Sequence, residues 1–303
     1  MMQKAKRVSL PSYEPPLWLK LRIWAGSIIH YGRSVGGGRG QVFRLPFRRI
    51  VKLDCHPNEL EAMEFVRKHT TIPVPRVCEI YDYDEGQHLV MEEAQGGDIK
   101  VCYGGMTPDQ VSNFGRELAG HLSQLRSLQP PAPGFIGSLS LGSSLDHRLS
   151  GTRFGPFHSV ADFHTYLRRG RPLAHWENEP DVIRVHSRPG IYDVKFSHAD
   201  LNPNNILVKD GHITAIVDWE FAGWYPEYWD YTKMYWSERS IWANFYRAVE
   251  GEPGIMKYPD ERAAELAIWK RMHPWSYDDP PWSPGDDDQQ PAQVPTDQHT
   301  DEN

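Results

Sequence analysis

The chain has 303 residues, long enough for one large domain or for two lobes that each bury a core, and too long for a single small module. Its 39% hydrophobic and 24% charged residues describe a soluble globular protein, and the formal charge of −7 is carried by Asp278, Asp279, Asp286, Asp287, Asp288, Asp297, Asp301 and Glu302 near the C-terminus. The remainder is close to neutral and has no bulk field to select nucleic acid or an anionic membrane, while Cys55, Cys78 and Cys102 suggest neither a disulfide framework nor a zinc site.

The N-terminus has Lys4, Lys6 and Arg7 followed by Pro11, Pro15 and Pro16 instead of the apolar core of a signal peptide. No apolar run approaches the ~18 residues that a membrane span needs, so a cytoplasmic location without membrane partners is expected. Apolar spacing over residues 17–31 predicts a short helix. Gly36, Gly37, Gly38 and Gly40 follow, and then a hairpin split at Leu45 and Pro46 with Arg49 to Leu53 as its second strand.

From Asn58 the steps of three and four residues predict a helix behind Pro57, ending before Ile72-Pro73-Val74-Pro75. Residues 76–82 and 88–93 read as strands around Asp84-Glu85-Gly86, giving β-β-α-β-β for the first part of the chain. After Gly96-Gly97 the pattern turns helical: Val111, Phe114, Leu118, Leu122 and Leu125 form one stripe behind a Thr107 cap and Pro108. Residues 129–159, rich in Pro, Gly and Ser, read as a long surface loop before a helix that begins at Val160. Aromatic-rich helices are expected over 221–272, and a disordered tail from Pro274 onward.

One segment carries chemistry. Ser197-His198-Ala199-Asp200-Leu201-Asn202-Pro203-Asn204-Asn205 interrupts an apolar context with polar side chains, and two short strands then flank the hairpin signal Asp210-Gly211. If that turn sets the register, Asn205 faces Ile216 and Asp218 lies a diagonal step away, about 7 to 8 Å at the backbone. An amide oxygen and a carboxylate at that spacing suit Mg2+, a hard cation that takes further ligands from nucleotide phosphates. Asp200, on the loop entering the hairpin, is placed to accept the proton of a substrate hydroxyl, and His198 to brace the loop. A lone loop aspartate is ordinarily a turn former; the combination carries the reading.

HADLNPNNIL followed by IVDWE resembles the catalytic and metal-binding segments of the aminoglycoside phosphotransferase-like kinases, a family related to choline kinases and distantly to protein kinases. RRIVKLD, ELEAMEFVRKHTTIPVPRV and HLVMEEAQGG are similar to that family's first lobe in the same order, and FAGWYPEYWDY is similar to the form common in fungal members. The resemblance implies an α+β, protein-kinase-like bilobal fold with a small antiparallel-sheet N-lobe and a mainly helical C-lobe. Residues 1–30 would be an extension, 31–95 the nucleotide-binding lobe, 96–273 the catalytic and acceptor-binding lobe, and 274–303 the acidic tail.

By the same resemblance Lys52 holds the α- and β-phosphates of ATP, Glu59 orients Lys52, and the stretch from Val90 through Glu92 to Ala94 is the hinge that binds adenine. Gly36 to Gly40 would cover the phosphates. Ala199 departs from the glycine of many relatives, and the loop is expected to tolerate its methyl group. The implied activity is transfer of the γ-phosphate to a hydroxyl of a small molecule. A catalytically weak or inactive nucleotide-binding pseudokinase is the alternative. A protein kinase fits less well, because Trp219-Glu220 follow Asp218 where Phe-Gly would stand, and the lack of G-x-S-x-G argues against a serine hydrolase.

Overall fold

The structure, a computed structural model, describes residues 5–29, 42–84, 86–146, 148–235 and 243–272. The glycine-rich segment 36–40 and the acidic tail therefore lie outside the described residues.

The N-terminal part is a five-stranded sheet of β1 (Lys6–Ser9), β2 (Val42–Leu45), β3 (Arg49–Cys55), β4 (Val77–Tyr83) and β5 (Gly86–Glu92), in the order β1-β4-β5-β3-β2. The expected hairpins are present, but β1 was not foreseen, and it joins β4 in parallel, so the sheet is mixed. Its four residues are mostly exposed, with no apolar alternation to announce a strand.

Helix α1 (Leu17–Ile29) lies against β2 and closes a small core with Leu19, Leu45, Val51, Tyr81 and Val90. Gly26 permits that approach, since a side chain there would collide with the Arg44 carbonyl. Helix α2 (Pro57–His69) starts at a proline, with the His56 ring accepting from Asn58 N, and buries Leu60, Ala62, Met63 and Val66 in the main core.

The C-terminal part is mainly helical. It begins with β6 (Gly97–Asp98), α3 (Ile99–Cys102) and α4 (Pro108–Ser127), the last opened by the reciprocal Thr107–Gln110 capping box and burying Phe114, Leu118, Leu122 and Leu125. The segment read as a loop contains three short strands, β7 (Gly137–Ser138), β8 (Ser144–Asp146) and β9 (Ser150–Phe154), too brief for a periodic signal. Next come α5 (Val160–Leu167), α6 (Pro180–His186), β10 (Val194–Ser197), the hairpin β11 (Ile206–Lys209) and β12 (His212–Ile216), and β13 (Gly223–Pro226). Helices α7 (Trp229–Met234), α8 (Ala243–Gly251) and α9 (Pro259–Arg271) complete the fold. Among the described residues no helix is long and apolar enough to cross a membrane.

The architecture is thus α+β and two-lobed, a sheet with one inner helix followed by helices that carry short strand pairs. The two parts meet at the chemistry-bearing segment. Asn58 Nδ2 donates to the carbonyls of Glu220 at 2.8 Å and Ala222 at 3.0 Å, and Ile216 N donates to Pro73 O at 2.8 Å.

Candidate active site

Lys52 projects from the middle of β3, and its ammonium donates to both oxygens of Glu59 on α2, each at 2.8 Å. The same nitrogen lies 2.5 Å from Asp218 Oδ1, bringing together residues 166 positions apart in the chain. Burial opposes the charge on Lys52, but Glu59 and Asp218 outweigh it, and its pKa is raised. Lys52 and Glu59 are thus paired as the resemblance implies.

Asp200, Asn205 and His198 form a second group. Asn205 Nδ2 donates to the backbone carbonyl of Asp200 at 2.8 Å and to its Oδ2 at 2.9 Å. Burial pushes the Asp200 carboxyl up to about 6; Lys233 counters this, while Asp218 and Asp146 add to it. His198 is fully buried: its Nε2 donates to Val217 O at 2.9 Å and its Nδ1 accepts from Asp200 N at 3.2 Å. Burial holds His198 down at about 4, and both of its ring nitrogens are engaged by the backbone.

The hairpin register differs from the expected one. Asp210 and Gly211 take the positive φ values of the turn, 54° and 84°, and Val208 pairs with Ile213 as foreseen. An irregularity between Leu207 and Val208 then shifts the ladder, so that Ile206 pairs with Ile216 and Val217 N donates to Asn205 O at 3.0 Å. Asn205 therefore faces Val217 instead of Ile216, and Asp218 follows directly, leaving the strand at a φ of 69°.

Four residues were not named as site residues from the sequence: Glu220, Asp230, Asp146 and Lys233. Glu59, Asp218 and Glu220 bring carboxylate oxygens within 4.8 Å of one another, a group able to hold a cation, and burial pushes Glu220 up to about 7. Asp230 is buried on α7 and accepts from Ala199 N at 2.8 Å and His198 N at 3.3 Å. It clamps the turn at Ala199, whose φ of 63° is the left-handed region where glycine is the easier residue. Asp146 and Lys233 form a buried ion pair at 2.6 Å, joining two loosely patterned segments. Only the acidity of Glu220, two residues from Asp218, was a usable signal in the sequence.

Glu92 and Ala94, the residues expected at the hinge, lie at and just beyond the end of β5. Glu92 ends β5, its carboxylate paired with Arg76 at 2.6 Å and Arg49 at 3.2 Å, and its N–H given to Arg76 O at 3.0 Å. Ala94 lies between β5 and β6, beside Gln95, whose carbonyl accepts from Thr214 Oγ1 at 2.6 Å.

Solved structures with a similar course include the streptomycin-ATP-APH(2")-IIa ternary complex, at 15% identity over 81% of this chain and 83% of that chain, with a TM-score of 0.49. The macrolide 2'-phosphotransferase MphH from Brachybacterium faecium shares 19% identity over 78% and 82% of the two chains, with a TM-score of 0.45. The choline kinase LicA from Streptococcus pneumoniae shares 16% over 83% and 90%, with a TM-score of 0.43. No curated protein matches the chain in sequence. The profile of the phosphotransferase enzyme family matches residues 31–267, a span that takes in Lys52, Glu59, Asp200, Asn205 and Asp218, and the chain belongs to that family.

Proposed function

We propose that the chain transfers the γ-phosphate of ATP to a hydroxyl of a small molecule. One observation carries the reading: Lys52 bonds Glu59 and Asp218 at once, while Asn205 bonds Asp200 in the loop that leads to the same hairpin. Four separate segments thus bring a cation, an oxygen-rich group and a buried carboxylate together, as phosphoryl transfer by positioning and electrostatics requires.

In this reading Asp200 accepts the proton of the acceptor hydroxyl and aligns its oxygen. A carboxyl raised to about 6 is still mostly ionised at neutral pH and is a stronger base than an ordinary aspartate. His198 keeps the loop in shape through its two backbone bonds and takes no proton. Lys52, oriented by Glu59, neutralises the α- and β-phosphates. Residues 31–95 bind the nucleotide, with adenine against the backbone from Glu92 to Ala94, and residues 96–273 hold the catalytic loop and the acceptor.

The all-oxygen donor set fits Mg2+, which Asn205 and Asp218 would hold, with Glu220 supplying a further oxygen. When bound, the ion neutralises charge on the β- and γ-phosphates.

The experiment is ADP release by the purified chain from MgATP, across a panel of hydroxylated metabolites and aminoglycosides. Turnover with at least one acceptor, lost in Asp200→Ala while nucleotide binding persists, supports the reading. Binding of MgATP with no turnover on any acceptor would make the chain a pseudokinase instead.

A further inference from the structure

We propose that Asn58 is a positioning residue that fixes the main chain of Glu220, so that Glu59, Asp218 and Glu220 stand together as one cation-holding group; this rests on the phosphotransfer reading above. Asn58 is the second residue of α2, and Glu59 follows it in the same first turn. The start of that helix sets its backbone, where Asn58 N donates to His56 Nδ1 at 3.1 Å and Glu59 N to His56 O at 3.0 Å. Its side chain is buried and directs both amide hydrogens at one stretch of chain, the Glu220 carbonyl at 2.8 Å and the Ala222 carbonyl at 3.0 Å.

That stretch is a tight turn. Ala222 N donates to Trp219 O at 3.1 Å, and the buried Trp219 indole donates to Ile216 O at 2.9 Å. Glu220 lies between these two residues, with Trp219 anchored on one side and Asn58 gripping its own carbonyl and that of Ala222. On this backbone its carboxylate comes within 4.8 Å of oxygens of Glu59 and Asp218. Three carboxylates so close repel one another, and Lys52 bonds two of them, Glu59 and Asp218. The place of the third depends on what holds its main chain.

An amide in this one orientation serves. Turned over, or replaced by a carboxylate, the side chain would set oxygen against two carbonyl oxygens. Adhesion of α2 to the catalytic segment is the plainer role for such bonds, at about 1 kcal/mol each. What points beyond it is the neighbour relation: the residue that grips Glu220 is joined directly to Glu59, so one turn of helix sets two of the three carboxylates relative to each other. Groups that orient metal ligands in this way change metal affinity by about 10- to 100-fold when they are removed.

The test is Asn58→Leu, which keeps the branched shape and removes both N–H groups. Mn2+ is the probe ion, its binding to the chain with ADP followed by electron paramagnetic resonance, and ADP binding in chelator is measured by calorimetry. The expected result is a Mn2+ affinity lower by about 10-fold or more at an unchanged affinity for metal-free ADP. A wild-type Mn2+ affinity overturns the proposal even in a less stable variant, because that outcome is the mark of adhesion alone. An equal fall in the affinity for metal-free ADP overturns it as well, as general damage to the site. Should Asn58→Leu not fold, Asn58→Gln carries the test, because it keeps both N–H groups and moves them by one methylene. A lower Mn2+ affinity at constant ADP affinity supports the proposal there, and a wild-type Mn2+ affinity overturns it.

A crystal structure of the folded variant gives a readout independent of binding: the Glu220 carboxylate should leave Glu59 and Asp218, and an unmoved Glu220 overturns the inference. A wild-type chain that binds neither ADP nor Mn2+ sinks the phosphotransfer reading instead, and the crystallographic arm then still decides whether Asn58 sets Glu220.

Discussion

Asp230 and Ala199 are joined by a 2.8 Å bond from the Ala199 amide to a carboxylate that is itself buried, and this bond fixes the backbone at the entrance of the catalytic loop. Asp230→Ala leaves two buried N–H groups without an acceptor, a loss of about 1–3 kcal/mol each, so chemical denaturation should show a markedly less stable fold. Asp230→Asn keeps one acceptor oxygen and should fall between the two. Equal stability of Asp230→Ala and the wild type would show that the clamp does not matter.

Lys52 and Glu59 should behave as a coupled pair. Lys52→Met strands a buried carboxylate and should cost about 3–5 kcal/mol, whereas Lys52→Met/Glu59→Gln should recover most of that. Additive losses in a double-mutant cycle would contradict the coupling. Both variants should also lose nucleotide-dependent turnover.

The buried rings of His164 and His186 stack at 3.9 Å, and Arg168 Nη1 donates to His186 Nδ1 at 2.7 Å. Burial, helped by Arg168, holds His164 down at about 3, against about 6.5 in the unfolded chain. The neutral ring therefore contributes stability that is fully present above pH 6.5 and is lost as pH falls toward 3, reaching about 2 kcal/mol of loss at pH 5. His164→Gln should unfold with less pH dependence between 7 and 5 than the wild type. Parallel pH curves for the two proteins would refute the assignment.

Gly26→Ala should lower the thermal midpoint, although alanine is the better helix former by about 1 kcal/mol, because the new methyl meets the Arg44 carbonyl. A raised midpoint would mean that α1 is free to shift on β2.

Chelation should abolish ADP release, with added Mg2+ restoring it, and Asp218→Asn should raise the Mg2+ concentration needed for half-maximal rate. Full activity in excess chelator would remove the metal from the mechanism.

Much of this was legible in one dimension. Lys52, Glu59, Asp200, Asn205 and Asp218 were recognisable by type and order, and the Asp210-Gly211 turn announced the hairpin that sets Asn205 beside the Asp218 strand. The register was not legible, because the irregularity at Leu207/Val208 leaves no mark in composition and a single extra residue moves the partner of Asn205 from Ile216 to Val217. Asp230, Asp146 and Lys233 were missed for another reason. Their partners lie 31 positions away for Asp230 and 87 for the Asp146–Lys233 pair, distances at which only the assembled fold brings charges together. Strand β1 and the strands within 137–154 are too short for any periodicity to register.

Asn58, with its two bonds to the Glu220 and Ala222 carbonyls, has a mechanical consequence. Glu59 is its chain neighbour and Asp218 precedes the bonded segment, so Asn58 ties together the two stretches that carry the anionic partners of Lys52. Separating the N-terminal part from the C-terminal part would therefore break the Asn58 bonds together with the Lys52–Asp218 pair.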